Sequence, residues 1–405
     1  MIAIDERPVY SLKTQPAVLA SYQEAIERAR ALKPTLRERV AEAERLRRLP
    51  AENVTDLLEN GMYGLMTPKR FGGSELGPEA MIDVTIELAS ACPSTGWVHM
   101  LWTAHMWLLA LFPENAQEEL WSNPNTLASS VVTTTGDVVP VDGGYRWTGR
   151  GFFSSGVDHC NWLTAAVPIK REGVEGPPER RWMLIPREDI EIIDDWYTVG
   201  LKGTGSKTVV FNDVFVPEER TVSNQVIEDG TSPGSQIHAH PMYGAISSAN
   251  FTAAMAAPAV GAARGFLAAF EDRLRSKSSN IDDGTMVNLA RYAGASAEVD
   301  AVHAVTLQNA QRFARLPAKD VSAEERAKCR RDQAFTAQTS RKAINMLYEE
   351  SGGSALFENS EFQRYWRDVN AAAAHRGLTW DWVAVGWTKT MIGVPVVPGF
   401  TFTRA

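Results

Sequence analysis

Apolar residues recur at helical spacing from about residue 16 to residue 121, as in Leu57, Leu58 and Met62 and then Met81, Val84, Ile86 and Leu88, with proline and glycine at the joints. The first third is therefore expected to be helical. The stretch Phe71-Gly72-Gly73-Ser74, followed by Leu76-Gly77-Pro78, turns the chain between two of these helices. From about 126 to 220 the pattern changes to short β-rich runs. Val138-Val139-Pro140-Val141, the turn residues Asp142-Gly143-Gly144, and Tyr145-Arg146-Trp147-Thr148 form a hairpin signal. Runs at 162–169, 181–185, 191–193 and 208–216 complete a compact β unit, with 172–179 as a polar loop. No helical segment crosses between these strands, which speaks against a parallel Rossmann sheet. After a Gly/Ser/Pro-rich connection near 230–244, helix formers fill 260–274, 286–316 and 323–348, and the pattern persists to about Trp387. The order helical, β, helical divides the chain at 1–122, 123–225 and 226–405. Helical layers around a β unit leave a cleft where the units meet, a usual place for a cofactor.

At 405 residues the chain is long enough for more than one packed unit. Its 44% hydrophobic and 22% charged residues are ordinary for a globular protein. The net charge of −8 argues against nucleic acid and anionic membrane as partners, since both require a positive field. Cys92, Cys160 and Cys329 are few and far apart, so free thiols and a cytoplasmic location are expected. Asp5, Glu6 and Arg7 stand where a secretory signal needs an apolar core. Two apolar stretches, 99–112 and 251–270, read as buried helices: the first is too short to span a bilayer, and the second is broken by Pro258 and Arg264.

Several motifs fail on inspection. In Gly200-Leu201-Lys202-Gly203-Thr204-Gly205-Ser206-Lys207-Thr208, Ser206 separates the second glycine from the lysine, and Val209-Val210-Phe211 continues as a strand where a phosphate loop needs a helix. No Gly-x-Ser-x-Gly elbow and no His-Glu-x-x-His spacing is present. Asp158-His159-Cys160 lacks a second ligand pair at metal spacing and reads as loop structure, so no metal is expected. Trp97, Trp102 and Trp107 are five residues apart and cannot share one helix face, which makes them chiefly core residues with one available to line a pocket.

Taken in order, seven segments resemble the acyl-CoA dehydrogenase superfamily, and within it the two-component flavin-dependent aromatic hydroxylases. They are Phe71-Gly72-Gly73; Cys92-Pro93-Ser94-Thr95-Gly96-Trp97; Gly149-Arg150-Gly151-Phe152-Phe153-Ser154-Ser155-Gly156; Gly200 to Ser206; Asp213-Val214-Phe215-Val216-Pro217; Ser351-Gly352-Gly353; and Arg364-Tyr365-Trp366-Arg367-Asp368. The resemblance implies a mainly α fold with a central β domain: N-terminal helices, a middle β-barrel-like domain and a C-terminal four-helix bundle, assembled as a homotetramer. It also implies an oxygenase component that takes reduced FAD or FMN from a separate NAD(P)H-dependent flavin reductase. With O₂ it would form a flavin hydroperoxide and hydroxylate a small phenol- or indole-type aromatic. An acyl-CoA dehydrogenase or a related flavin oxidase is the alternative.

The resemblance also suggests site residues. In many acyl-CoA dehydrogenases a stretch like Arg-Asp, seven residues, then Tyr-Glu-Gly supplies the glutamate base. Here Arg367-Asp368 leads to His375-Arg376-Gly377, so Arg376 fills the glutamate slot, and a cation cannot remove an α-proton. The hydroxylases place a histidine where His375 stands, and an imidazole titrating near 6.5 suits proton exchange near neutrality. Ser154 and Ser155 match the serine lying near flavin N5, and His105 and Ser130 match residues facing the aromatic substrate. Arg264, Gly352, Gly353 and Arg376 would help hold the cofactor, with a neighbouring subunit assisting at the phosphates. Each also has a plainer reading: His375 and His105 as satisfied structural histidines, the serines as turn caps, Arg264 as half of an ion pair.

Overall fold

The computed structural model describes residues 15–169, 178–276 and 282–394. Its first part is helical: α1 (Tyr22–Glu38), α2 (Val40–Leu46), α3 (Ala51–Glu59), α4 (Pro78–Ala89), α5 (Pro93–Leu109) and α6 (Glu114–Trp121). α1 begins where the Ser21 side chain accepts from Glu24 N, which satisfies one of the free amides of the first turn. α5 is buried along almost its whole length, so it forms a central rod with no solvent face.

The middle of the chain forms two four-stranded sheets. Strands β1 (Ala128–Val131), β4 (Trp162–Ile169), β5 (Glu179–Pro186) and β8 (Thr221–Ser223) are ordered β1-β4-β5-β8; β2 (Thr133–Val141), β3 (Gly144–Ser154), β7 (Lys207–Pro217) and β6 (Glu191–Ile193) are ordered β2-β3-β7-β6. The expected hairpin joins β2 to β3 in antiparallel register, with Val141 opposite Gly144. One pairing was not anticipated: β1 runs parallel to β4, and the intervening hairpin returns the chain where a helix usually does. The inner faces of both sheets meet in one apolar cluster that includes Trp147, Phe211, Leu163 and Ile185. Of the loop read at 172–179, residues 172–177 lie outside the described residues, and Glu179 opens β5.

After the short helix α7 (Asn224–Glu228), the last part contains α8 (Ala257–Ser276), α9 (Asp283–Phe313), α10 (Ala323–Glu349), α11 (Glu361–Ala373) and α12 (Trp380–Met391). A reciprocal cap between Ser322 and Glu325 starts α10. α8 packs against α4, α5, α9, α10 and α11. Its small residues are what permit that: a Cβ on Gly265 would lie 2.5 Å from the Tyr365 ring. Among the described residues one helical stretch, Ser248–Ser276, is long and apolar enough to cross a membrane, and 89% of its most apolar window is buried within the fold. Cys92, Cys160 and Cys329 are buried and unbridged.

Candidate active site

A cavity of about 590 Å³ opens where α5, the sheets, the turn just before α8 that carries Phe251 and Met255, and the end of α11 converge. Its walls are aromatic and apolar, with Trp97, Phe152, Trp196 and Phe251 prominent, and they carry the hydroxyls of Ser130, Ser155, Thr204 and Ser206. A flat conjugated ring with polar edges suits such a lining. Among the described residues no carboxylate lines it, and the one permanently charged side chain that does is Arg376.

Local backbone chemistry aims Ser155 into this space. The β3–β7 pairing slips between Gly151 and Ser154, and Phe153 within that slip has φ 64, a left-handed conformation at a non-glycine residue. A bulge of this kind turns a strand end and redirects the side chains after it. Gly156 follows at φ +74, and a Cβ there would lie 2.6 Å from the Trp102 ring. Ser155 lines the cavity, accepts from Trp97 Nε1 at 3.2 Å and pairs with Ser206 Oγ at 2.7 Å. Ser154 sits behind the wall, fully buried, with its hydroxyl 2.8 Å from Ser129 Oγ. The structure thus separates two serines that the sequence left equivalent.

His375 follows the end of α11 and caps the turn Arg376–Leu378. Its Nδ1 accepts from Gly377 N at 3.1 Å, so in the neutral ring the proton resides on Nε2. The ring lines the cavity, 5.8 Å from the Trp97 ring between centroids. Burial lowers its pKa from the usual 6.5 to about 4, which departs from the near-neutral titration expected from sequence: the imidazole is neutral at physiological pH. Arg376 is exposed at the cavity rim, and its side chain has no ion-pair partner among the described residues.

The other candidates are spread more widely. Ser130 lines the cavity. His105 is fully buried behind it, donating from Nδ1 to Ala128 O at 2.7 Å, while Nε2 has no partner among the described residues and the ring centroid lies 5.6 Å from that of Phe251. Burial also takes its pKa down to about 4. Arg264 lies elsewhere, beside Lys33, Arg37 and Glu87, bonded to Asp300 at 3.2 Å and His303 Nδ1 at 2.9 Å. Gly352 and Gly353 are exposed beyond α10, where Arg273 reaches the Ser351 carbonyl. Arg264, Gly352 and Gly353 do not line this cavity.

Sequence reasoning missed the groups that hold the cavity together. Asp368, quoted only as a landmark, is 2% exposed and accepts from Leu201 N at 2.6 Å, while Arg367 Nη1 donates to Val199 O at 2.6 Å. The same helix that delivers His375 therefore grips the 199–206 loop opposite it. Leu201 is held at φ 51, a conformation that costs a residue with a Cβ about 1 kcal/mol or more. Burial raises the Asp368 carboxyl to about 7. Among the described residues, no group of His, Cys, Asp and Glu side chains could hold a metal.

The comparisons with known proteins agree with this geometry. Residues 23–126 match the acyl-CoA dehydrogenase N-terminal domain and residues 253–380 the C-terminal domain. The chain is 38% identical to the flavin-dependent monooxygenase oxygenase subunit HsaA of Mycobacterium tuberculosis, over 85% of this chain and 89% of that one. It is 32% identical to the oxygenase component of the FADH(2)-dependent resorcinol hydroxylase of a Rhizobium species, over 94% and 97%. The crystal structure of 3-HSA hydroxylase from Rhodococcus sp. RHA1 superposes with a TM-score of 0.89 at 35% identity, covering 93% of this chain and 99% of that one. With its fold, its cavity and this likeness over nearly its whole length, the chain belongs to the flavin-dependent monooxygenase oxygenase components of the acyl-CoA dehydrogenase family.

Proposed function

We propose that this protein uses reduced FAD or FMN and O₂ to hydroxylate a small aromatic substrate of the phenol or indole type, the flavin being supplied by a separate NAD(P)H-dependent reductase. The observation that carries the reading is the composition of the cavity: a neutral imidazole, a row of hydroxyls and one cation on aromatic walls, with no carboxylate. Removing the α-proton of a thioester requires a base, and neither a guanidinium nor an imidazole with a pKa near 4 is suited to that role. The relatives that are named as aromatic hydroxylase components support the same choice over a dehydrogenase.

The residues present fit a flavin. Trp97, Phe152 and Trp196 offer flat apolar surface, Ser155 a polar contact for the ring edge, and Arg376 a cation at the mouth for a phosphate-bearing tail. When bound, reduced flavin supplies the electrons that make O₂ an electrophilic oxygen donor. The chain's own groups then have definable tasks. His375, held by Gly377 N, keeps Nε2–H as a hydrogen-bond donor, and it takes up a proton only where a neighbouring anion offsets the cost of burial. The Trp97 indole fixes Ser155, and the aromatic walls exclude water. Ser130 on the wall and the unpaired Nε2 of His105 behind Phe251 are suited to anchoring a hydroxyl or ring N–H of the substrate.

A homotetramer is part of the proposal. Phe335, Trp382 and Val385 on α10 and α12, with Leu356 and Phe357 in the connection from α10 to α11, are each about half or more exposed, and such surface calls for cover. The test of function supplies flavin reduced by a generic reductase with a panel of phenols and indoles and measures product mass. A gain of one oxygen atom supports the reading. Acyl-CoA oxidation with an artificial acceptor and no O₂ would overturn it.

A further inference from the structure

Ser155 stands in a row of side-chain hydroxyls whose direction the structure determines. Trp97 Nε1 lies 3.2 Å from Ser155 Oγ, Ser155 Oγ 2.7 Å from Ser206 Oγ, Ser206 Oγ 2.7 Å from Thr204 Oγ1, and Thr204 Oγ1 2.9 Å from the Leu201 carbonyl oxygen. Both ends are one-way: an indole N–H only donates and a carbonyl oxygen only accepts. Each hydroxyl has one proton, so Ser155 donates to Ser206, Ser206 to Thr204 and Thr204 to Leu201. Reversing the row would leave Thr204 Oγ1 and the Leu201 oxygen facing each other with no proton between them. All four side chains are at least 93% buried, so two oxygens facing each other there are costly even though the residues also border the cavity. The proton of Ser155 is therefore committed inward, and what the residue turns to the cavity is a lone pair.

We infer that this row makes the Ser155 wall of the cavity a hydrogen-bond acceptor, and that Thr204 and Ser206, acting through Ser155, bias the site toward reduced over oxidised flavin. The inference rests on the functional reading given above. Reduced flavin carries ring N–H groups where oxidised flavin has bare nitrogen lone pairs. An acceptor wall pairs with the former and opposes the latter. Because the orientation is set by Trp97 and Leu201 before any ligand arrives, the bias does not require the protein to reorganise on binding. Thr204 and Ser206 are positioning residues in this scheme, and their effect is read in the balance between two redox states of one ligand.

The experiment titrates oxidised and anaerobically reduced FMN into the wild-type protein, Thr204→Val and Thr204→Ser. Valine keeps the shape of threonine but removes the far end of the row, so that Ser206 turns its proton to Ser155 and Ser155 donates into the cavity. The wild type should prefer reduced FMN. Thr204→Val should narrow the ratio of the two Kd values by about tenfold, roughly the effect of one hydrogen bond. For a two-electron couple that ratio corresponds to a bound-FMN potential lower by about 30 mV. Thr204→Ser, which keeps the hydroxyl, should retain the wild-type ratio. An unchanged ratio in Thr204→Val, or an equal weakening of both redox states, overturns the inference. A wild-type protein that binds neither redox state of FMN, nor of FAD in the same titration, overturns the functional reading instead.

Discussion

Asp368 provides a quantitative test of how the cavity is built. Its carboxyl is buried and sits at a pKa of about 7, against 3.8 for an ordinary aspartate, because burial penalises the anion more than the Leu201 N–H stabilises it. The folded chain therefore holds this proton more tightly than the unfolded chain does. The stability linked to it is fully present below about pH 3.8 and is lost as the pH rises through 7. The whole difference amounts to about 4 kcal/mol, of which about 2 kcal/mol falls between pH 5.5 and 8.5. Asp368→Asn keeps an oxygen to accept from Leu201 N but cannot ionise, so it mimics the protonated acid at every pH. Urea unfolding at fixed protein concentration should show the wild type losing about 2 kcal/mol more than Asp368→Asn over that range, since other titrating groups are common to both. Equal pH dependence in the two proteins would refute the burial argument. Asp368→Ala differs in kind: it leaves the Leu201 amide buried without its partner, at a cost of about 1–3 kcal/mol, and should speed hydrogen exchange across residues 199–206.

Other outcomes follow from the same cavity. His375→Ala should keep reduced-flavin binding while hydroxylation falls on the order of 10²–10⁴-fold and consumed O₂ appears as H₂O₂; wild-type rate and coupling across the pH range would make the histidine structural. His375→Asn, which keeps a hydrogen bond but cannot titrate, should retain coupling if the ring acts only as a donor. Arg376→Ala should weaken reduced FMN by about tenfold and riboflavin much less, as measured by anaerobic titration, and equal losses would remove the guanidinium from the phosphate. Light scattering at micromolar concentration should give the mass of a tetramer, and a stable monomer would contradict the reading of the exposed helix faces.

Much of the architecture was legible because it depends on local chemistry. The Asp142-Gly143-Gly144 turn fixes the β2–β3 hairpin, and the runs expected at 162–169 and 191–193 are the observed β4 and β6. β1 escaped notice because four residues carry almost no periodicity, and its parallel partner lies 34 residues away. The site was harder to read for the same reason. Trp97, Ser155 and Ser206 meet across gaps of 58 and 51 residues, and nothing in their immediate sequence signals the contact. Arg264 was singled out as a lone charge among small residues, yet its partners Asp300 and His303 stand 36 and 39 residues further on, along α9. Resemblance brought His375 forward, but it could not supply the fall of its pKa to about 4, which depends on the walls that close around it.

Three histidines show how a fully paired ring differs from one with a nitrogen to spare, His99 and His105 being fully buried and His375 half-buried. His99, His105 and His375 are all lowered to about 4, and in each case burial is the leading cause, so the shift alone does not distinguish them. Hydrogen-bond accounting does. His99 accepts from the Thr85 hydroxyl at 2.9 Å and donates to Met62 O at 3.0 Å, which uses both ring nitrogens to tie α5 to its neighbours. His105 donates to Ala128 O and leaves Nε2 buried without a partner, a state that costs about 1–3 kcal/mol relative to a paired nitrogen. The strand that receives its proton carries Ser130 two residues later on the cavity wall, and the ring beside it, Phe251, lines the same cavity. An unpaired acceptor beneath the cavity wall opposes stability, whereas His99, equally buried and equally shifted, has both ring nitrogens paired.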